Sequence, residues 1–147
     1  MRLIFAGSSQ FAVPALRGLL EVSPPVLVLS RPERPAGRNL KPRLCPLAEF
    51  AQSKGLPLSQ PEDVNSAESV QSIRSLEADL LITASYGALL RKPLRESTRL
   101  GAINLHPSLL PLHRGATPVQ SALLKGDSLT GTTIFALNSR LDAGPIL

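Results

Sequence analysis

Two polar side chains at the end of an apolar segment are the first candidates for chemistry in this chain. Asn104 and His106 flank Leu105 and lead into a loop that holds two prolines, a second histidine and an arginine. If the backbone stays extended to His106, both side chains share one face of a strand. An amide N–H and an imidazole N–H that converge there could stabilise an oxyanion. A buried histidine satisfied by backbone groups, with Asn104 ending the strand, explains the same residues equally well.

An acidic residue in apolar surroundings is the third candidate. Asp142 lies between Leu141 and Ala143 and is followed by Gly144. A carboxylate in such surroundings could act as a general base near neutral pH. A turn-forming aspartate before glycine is the alternative interpretation. Asp127, in contrast, lies within G-D-S-L-T-G, which is typical of a turn.

Other catalytic and ligand-binding patterns are weak or missing in the sequence. The turn Gly7–Gln10 could hold an anion, but it lacks the G-x-G-x-x-G spacing of a dinucleotide site, which favours a purely structural turn. Cys45 has no cysteine partner and is interpreted as a small hydrophobic side chain. His106 and His113 have no metal-ligand spacing, so no metal site is predicted. Serine hydrolysis is discounted because G-x-S-x-G is absent.

The positive charge is concentrated in one segment. The net charge is +5, and residues 31–43 alone hold five basic side chains against one acidic side chain, Glu33. Three prolines and a glycine in this segment prevent a helix and predict a semi-rigid loop. A solvated loop that keeps the protein soluble and a contact surface for phosphate groups are the two interpretations.

Short apolar segments alternate with segments of helical periodicity. We predict strands at 3–6, 26–29, 56–58, 80–84, 102–105 and 132–137, and helices at 11–20, 46–54, 66–76 and 117–125. This alternation predicts a three-layer, doubly wound α/β fold with a mostly parallel sheet. Ligands bind such folds beyond the carboxyl ends of the strands, so we expect chemistry in the loops after Ala6, Ala84 and Leu105.

Composition narrows the class of protein. Apolar residues make up 43% and charged residues 18% of 147 residues, which is enough for an ordinary hydrophobic core. No apolar run is long enough to cross a membrane, and one cysteine excludes a disulfide framework. We therefore expect a soluble monomer in the cytoplasm, or in an organelle matrix after processing.

Several segments together resemble the folate-dependent formyltransferase family. They are Asn104 with His106, S-L-L-P at 108–111, R-G at 114–115 and L-D-A-G at 141–144. Within that family, F-A-G-S-S-Q-F-A at 5–12, R-P-A-G-R at 34–38, Tyr86-Gly87 and R-G-A-T-P-V-Q at 114–120 are most similar to the members that act on methionyl-tRNA. The resemblance covers essentially the whole chain.

The resemblance implies formyl transfer from 10-formyltetrahydrofolate to the α-amine of methionine on initiator tRNA, with no covalent enzyme intermediate. By motif, Asn104 and His106 would polarise the formyl oxygen and stabilise the tetrahedral intermediate. Asp142 would orient His106 and take part in removing the amine proton. A relative that formylates an amino sugar or hydrolyses the donor with water, and a non-catalytic folate- or RNA-binding domain, are the alternatives.

The resemblance also implies two binding sites. The folate site would comprise Tyr86, Gly87, Ala88, Leu89, Ser108, Leu109, Leu110, Pro111 and Asn138. The basic loop would contact the acceptor arm of tRNA through Arg34, Arg38, Lys41 and Arg43.

The resemblance finally implies that residues 1–147 form the catalytic, folate-binding domain. Family members have a further sheet strand and a carboxyl-terminal β-barrel, so we expect this domain to be incomplete at its carboxyl end. The edge formed by 132–137 should then be unpaired, and Asp142 should lie close to a fraying end.

Overall fold

Strands and helices alternate along the chain in the computed structural model, which describes residues 1–36 and 41–147. The strands are β1 (Leu3–Gly7), β2 (Leu27–Leu29), β3 (Arg34–Ala36), β4 (Lys41–Arg43), β5 (Leu58–Ser59), β6 (Leu80–Ala84), β7 (Ala102–His106) and β8 (Thr133–Ala136). The helices are α1 (Ala12–Val22), α2 (Pro46–Ser53), α3 (Ala67–Arg74), α4 (Lys92–Arg95) and α5 (Pro118–Lys125). Of these elements, the β3–β4 pair and the short α4 are not anticipated by the sequence pattern.

Within the described residues, six strands form one sheet in the order β5-β2-β1-β6-β7-β8. The pairs from β5 to β7 are parallel, and β8 runs antiparallel to β7. The predicted α/β fold with a mostly parallel sheet is therefore confirmed. Strand order reverses between β1 and β6, so the loops after these two strands flank the crevice where such folds bind ligands.

Alternate residues of β1 supply the two faces of the core. Ile4 packs in one buried cluster with Val70 and Ile73 of α3. Phe5 packs in a second cluster with Leu16 of α1 and Leu47 of α2. Because both faces of this strand are covered, its sequence is continuously apolar rather than alternating, as expected for a buried parallel strand.

Proline and glycine set the two ends of α5. Pro118 occupies the first turn of α5, where its missing N–H costs no intrahelical hydrogen bond. Gly126 ends α5 in the left-handed region, with φ of 72°. This end fixes the position of Asp127, whose backbone N–H donates to the Ala122 carbonyl at 3.1 Å.

The basic segment is a hairpin rather than the loop predicted. β3 and β4 pair antiparallel, with Arg34 opposite Arg43 and Pro35 opposite Pro42. A two-stranded pair tolerates proline because neither strand is central, so the missing N–H groups of Pro35 and Pro42 break no hydrogen bonds to a third strand. Arg38 lies outside the described residues.

The outer edge of β8 is paired, which corrects the expectation of an open edge. The Ala136 N–H donates to the Pro145 carbonyl at 2.8 Å, and the Leu147 N–H donates to the Ile134 carbonyl at 3.0 Å. Residues 145–147 thus run beside β8 and satisfy part of its backbone. Asp142 lies within the connection between the two paired segments.

Candidate active site

A cleft of about 790 Å³ opens beside β6 and β7. Its walls come from the loops after β1, β6, β7 and β8 and from the start of α5. The first three loops are those in which the sequence predicted chemistry. A cleft of this volume is in the range of small-molecule sites.

Asn104 is held by a threonine on the neighbouring strand. The register of β6 and β7 places Thr83 beside Asn104. The buried Thr83 hydroxyl donates between two acceptors, Asn104 Oδ1 at 2.7 Å and the Ile103 carbonyl at 3.0 Å. Because Oδ1 is taken as an acceptor, Nδ2 is the part of the amide that can donate into the cleft.

His106 is buried and oriented from three sides. Its Nε2 lies 2.9 Å from the His113 carbonyl, which can only accept, so Nε2 carries a proton. Its Nδ1 lies 3.8 Å from Asp142 Oδ2. The ring packs edge-on against Phe135, with centroids 6.4 Å apart. The nitrogen that faces the carboxylate is therefore Nδ1.

Backbone geometry fixes Asp142. Its φ is 45°, and its Oδ2 accepts a hydrogen bond from the Gly115 N–H at 2.8 Å. A Cβ at position 144 would overlap the carbonyl oxygen of Ala136, so only glycine allows the chain to leave Asp142 along this path. The L-D-A-G segment is thus explained by a close backbone approach as well as by its acid.

The loop after β6 is tied to two other loops. The Ser8 hydroxyl donates to the Tyr86 carbonyl at 2.9 Å, and the Arg31 guanidinium donates to the Gly87 carbonyl. Burial raises the pKa of Tyr86 to about 12, although the nearby charge of Arg31 opposes the shift. The Tyr86 hydroxyl therefore stays protonated at any physiological pH. Ser85 takes a left-handed φ of 46°, which turns this wall toward the cleft.

The structure brings most of the predicted site residues to this cleft. The lining includes Asn104, His106, Asp142, Tyr86, Gly87, Ala88, Leu89 and Asn138. The S-L-L-P residues Ser108, Leu109, Leu110 and Pro111 are not among those that line it. Ser108 is fully buried and its hydroxyl donates to the Leu112 carbonyl at 2.7 Å, so its side chain is used within the loop. The roles of all these residues remain predictions.

Sequence reasoning missed three groups that hold the site together. Thr83 orients Asn104, and Gly115 donates to Asp142. His113 Nε2 lies 2.5 Å from Asp127 Oδ2, which joins the loop after β7 to the end of α5. The pairing of Thr83 follows from strand register, whereas the other two contacts join segments with no shared pattern in the sequence.

The basic hairpin carries charge on its surface. Lys41 and Arg43 are exposed, and Arg34 lies opposite Arg43. The Arg34 guanidinium is paired with the Glu62 carboxylate at 2.9 Å. Like charges placed directly opposite on a two-stranded ribbon repel each other.

Residues 1–36 and 41–147 contain no group of three histidine, cysteine, aspartate or glutamate side chains placed to hold a metal ion. Over the same ranges, no helix combines the length and the hydropathy needed to cross a membrane.

Curated relatives are methionyl-tRNA formyltransferases. The protein of that name from Acidothermus cellulolyticus is 49% identical over 147 residues, a match that covers 99% of this chain and 45% of the relative. That from Methylococcus capsulatus is 44% identical, over 100% of this chain and 48% of the relative. The chain thus spans about half the length of these relatives.

Solved structures show the same fold. The phosphoribosylglycinamide formyltransferase of Streptococcus pneumoniae superposes with a TM-score of 0.79 at 21% identity, over 99% of this chain and 78% of that one. A sugar N-formyltransferase from a Shewanella species gives 0.68 at 22% identity, over 100% and 55%. The family model described as formyl transferase matches residues 1–147. This chain belongs to the formyl transferase family.

Proposed function

We propose that this chain transfers a formyl group from 10-formyltetrahydrofolate to the α-amine of methionine esterified to initiator tRNA. The observation that carries the proposal is the meeting of Asn104, His106 and Asp142 around one cleft. Residues 1–147 are the catalytic, folate-binding domain in this proposal, acting as a monomer in the cytoplasm. The names and identities of the curated relatives support the choice of acceptor.

The lining of the cleft supports a folate as the formyl donor. Apolar groups of Ala88, Leu89 and Leu90 line one side, where a flat heterocycle can stack. Leu137 and Leu141 line the cleft from the segment that follows β8. Asn138 fixes that segment because its Oδ1 accepts from the Arg140 N–H at 2.8 Å and its Nδ2 donates to the Ala143 carbonyl at 3.2 Å. A mostly apolar cleft with a few placed polar groups is typical of small-molecule sites.

Asn104 and His106 supply donors for the formyl oxygen. The amine nitrogen attacks the formyl carbon, a C–N bond forms, and negative charge develops on oxygen in the tetrahedral intermediate. Asn104 Nδ2–H would stabilise that charge, joined by His106 Nδ1–H once this nitrogen has received the proton of the attacking amine, and donors held in place beforehand are the most effective. Collapse of the intermediate breaks the bond to the folate nitrogen, which takes a proton from the imidazolium.

Asp142 accepts the proton of the attacking amine and passes it through a bridging water to His106 Nδ1, which later gives it to the folate nitrogen. Asp142 is then ionised again and supplies the negative charge beside the imidazolium. The gap of 3.8 Å between its Oδ2 and His106 Nδ1 is longer than a hydrogen bond, so Asp142 acts on the imidazolium as a counter-charge. Oδ2 already accepts from Gly115, which leaves Oδ1 for the amine or a bridging water. The step therefore needs no protein nucleophile.

The hairpin supplies the contact with RNA in this proposal. Arg43 and Lys41 are exposed, while Arg34 is partly neutralised by Glu62. Phosphate groups would screen the repulsion between the opposed guanidinium groups, so binding of RNA and relief of this repulsion reinforce each other. Arg38 is expected to act in the same way.

A single-turnover assay tests the proposal. With 10-formyltetrahydrofolate and methionyl-tRNA, we expect Asp142→Asn to slow formyl transfer by at least about a hundredfold, the usual contribution of a general base. The matched control is Asp79→Asn, which alters another carboxylate that pairs with a basic side chain, Arg99, and is not among the cleft residues.

Equal rates for the unaltered chain and Asp142→Asn would remove Asp142 from the mechanism. Transfer to an amino sugar without dependence on tRNA would show that the acceptor is the amino sugar and not methionyl-tRNA. Folate binding without any transfer would reduce the function to binding.

A further inference from the structure

We propose that Asp127 is a positioning residue that acts through His113 to hold the imidazole of His106. This inference rests on the proposed function, because it assigns a role around the same imidazole. Neither Asp127 nor His113 lines the cleft. Their effect on the reaction must therefore pass through His106.

The contacts form a continuous path from a helix end to the imidazole. Asp127 follows the left-handed Gly126 that ends α5. Its Oδ2 lies 2.5 Å from Nε2 of His113, whose side chain is only 4% exposed. The His113 carbonyl then accepts the proton of His106 Nε2 at 2.9 Å. The path thus consists of two hydrogen bonds joined through the covalent frame of His113.

The backbone of His113 needs this support. Its φ is 54°, a left-handed conformation that is unfavourable for a residue with a Cβ. That conformation accompanies a carbonyl directed at His106. Within the described residues, Nδ1 of the buried His113 ring has no hydrogen-bond partner, so the contact with Asp127 is the polar contact that orients this ring.

The rest of the loop is held by other contacts. The Ser108 hydroxyl donates to the Leu112 carbonyl at 2.7 Å, and the Thr133 hydroxyl donates to the Ser108 carbonyl at 2.7 Å. These bonds do not involve Asp127. Loss of the Asp127 carboxylate should therefore release the orientation of His113 and leave the remainder of the loop in place.

The consequence falls on the proton of His106. With the His113 carbonyl in place, Nε2–H is favoured and Nδ1 faces Asp142. Without that acceptor, the proton can sit on either nitrogen and the ring can turn. An imidazole in the wrong tautomer presents no lone pair, and later no transferable proton, at the nitrogen that faces the cleft.

Nitrogen-15 NMR of the imidazole rings tests the link directly. In the unaltered chain, we expect His106 to show one tautomer with its proton on Nε2. In Asp127→Ala, we expect a mixture of tautomers and Nε2–H exchange with water that is faster by roughly tenfold or more, as in locally opened structure. Asp127→Asn keeps an oxygen that accepts from His113 Nε2–H, so it should restore the original signature.

Asp79→Asn is the matched control, and the signals of His106 should not change in it. An unchanged His106 tautomer and exchange rate in a folded Asp127→Ala protein would overturn the inference. So would an equal change in Asp79→Asn, since the effect would then be general destabilisation. If Asp127→Ala does not fold, His113→Phe removes the same contact while filling the space, and an unaltered His106 signature there would also overturn it.

The NMR measurement needs no substrate, so its outcome is separate from that of the proposed function. A chain that transfers no formyl group can still show the Asp127-dependent tautomer. Where turnover is measured, we expect Asp127→Ala to lower kcat while the KM for the folate stays within about twofold, because the contact affects proton position rather than ground-state binding.

Discussion

The walls of the cleft and the basic hairpin differ in how their polar side chains are held. In the cleft, each candidate group has a partner on another element, as Asn104 has Thr83 and Asp142 has Gly115. On the hairpin, Arg43 is exposed, and the Arg34 ion pair with Glu62 is itself exposed. Chemistry at a carbonyl needs donors placed to a fraction of an ångström, whereas attraction to phosphate groups needs only charge at short range.

The difference extends to the backbone. Ser85, His113 and Asp142 all take left-handed φ values near the cleft. Such conformations persist only where the surrounding structure stabilises them, and they cluster at functional sites. The hairpin instead uses an ordinary antiparallel ladder. We therefore expect substitutions in the cleft to change rate constants, and substitutions on the hairpin to change affinity and its dependence on salt.

Removal of the Asn104 amide should have the largest effect on the reaction. We expect Asn104→Ala to lower the single-turnover rate by about 10² to 10³, the usual cost of one donor to an oxyanion. Thr83→Val keeps the amide but removes the hydroxyl that orients it, so the loss should be nearer tenfold, equivalent to one hydrogen bond. Thr83→Ser, which retains the hydroxyl, is the control and should stay close to the unaltered rate.

A loss of equal size in Thr83→Ser and Thr83→Val would show that the threonine methyl group, rather than the hydrogen bond, matters. A retained rate in Asn104→Ala would show that the amide does not stabilise the oxyanion. Thermal unfolding of each variant separates lost chemistry from lost fold.

Substitution of Arg43 tests the hairpin side with a smaller expected effect. We expect Arg43→Ala to weaken initiator tRNA binding and to reduce the slope of log affinity against log salt by about one, as for one lost phosphate contact. The rate at saturating tRNA should be unchanged. The control is Lys92→Ala, which removes an exposed cation whose Nζ lies 4.0 Å from Glu96 Oε1.

A fall in the saturated rate, with an unchanged salt slope, would contradict a purely electrostatic role for the hairpin. Glu62→Gln should change tRNA affinity in the opposite direction. It releases Arg34 from its ion pair, so tRNA affinity at low salt should rise slightly.

The smallest expected effect is on stability and comes from Asp79, the residue altered in the control variant Asp79→Asn. The backbone N–H of Arg2 and the guanidinium of Arg99 hold the pKa of Asp79 below its ordinary value of 3.8. A carboxylate with a lowered pKa contributes stability that is present above that ordinary value and is lost as the pH falls through the lower, folded-state value. Asp79→Asn should therefore reduce the Tm slightly at pH 7, and the difference from the unaltered chain should shrink in acid.

Melting curves recorded at pH 7 and below pH 3.8 provide the measurement. A Tm difference that is the same at both pH values would show that hydrogen bonding, not charge, is what Asp79 contributes. Formyl transfer at neutral pH should be unaffected, as the comparison between surface charge and cleft requires.

Local patterns predict the scaffold of this molecule well. The apolar segments 3–6 and 80–84 become β1 and β6 with little change in bounds, because buried parallel strands are continuously apolar. The shared face of Asn104 and His106 also follows from two-residue spacing alone. The hairpin was missed because its short strands are rich in proline and arginine, residues that indicate a loop.

Contacts between distant segments could not be predicted in the same way. Nothing in the spacing of His113 and Asp127 indicates that they meet, since the contact depends on where α5 ends. The part of the S-L-L-P loop in a folate site remains a prediction, and the structure shows Ser108 buried within its own loop. Burial of this kind is decided by tertiary packing, which a single sequence does not record.

The pairing of Thr83 with Asn104 has a consequence for how activity and folding relate. The two residues meet only because β6 and β7 align in one register. A slip by one residue would carry Asn104 to the opposite side of the sheet, away from His106 and the cleft. Molecules with misaligned strands would thus be inactive rather than slow. The specific activity of a preparation would then be proportional to the fraction of chains in which β6 and β7 pair in the correct register.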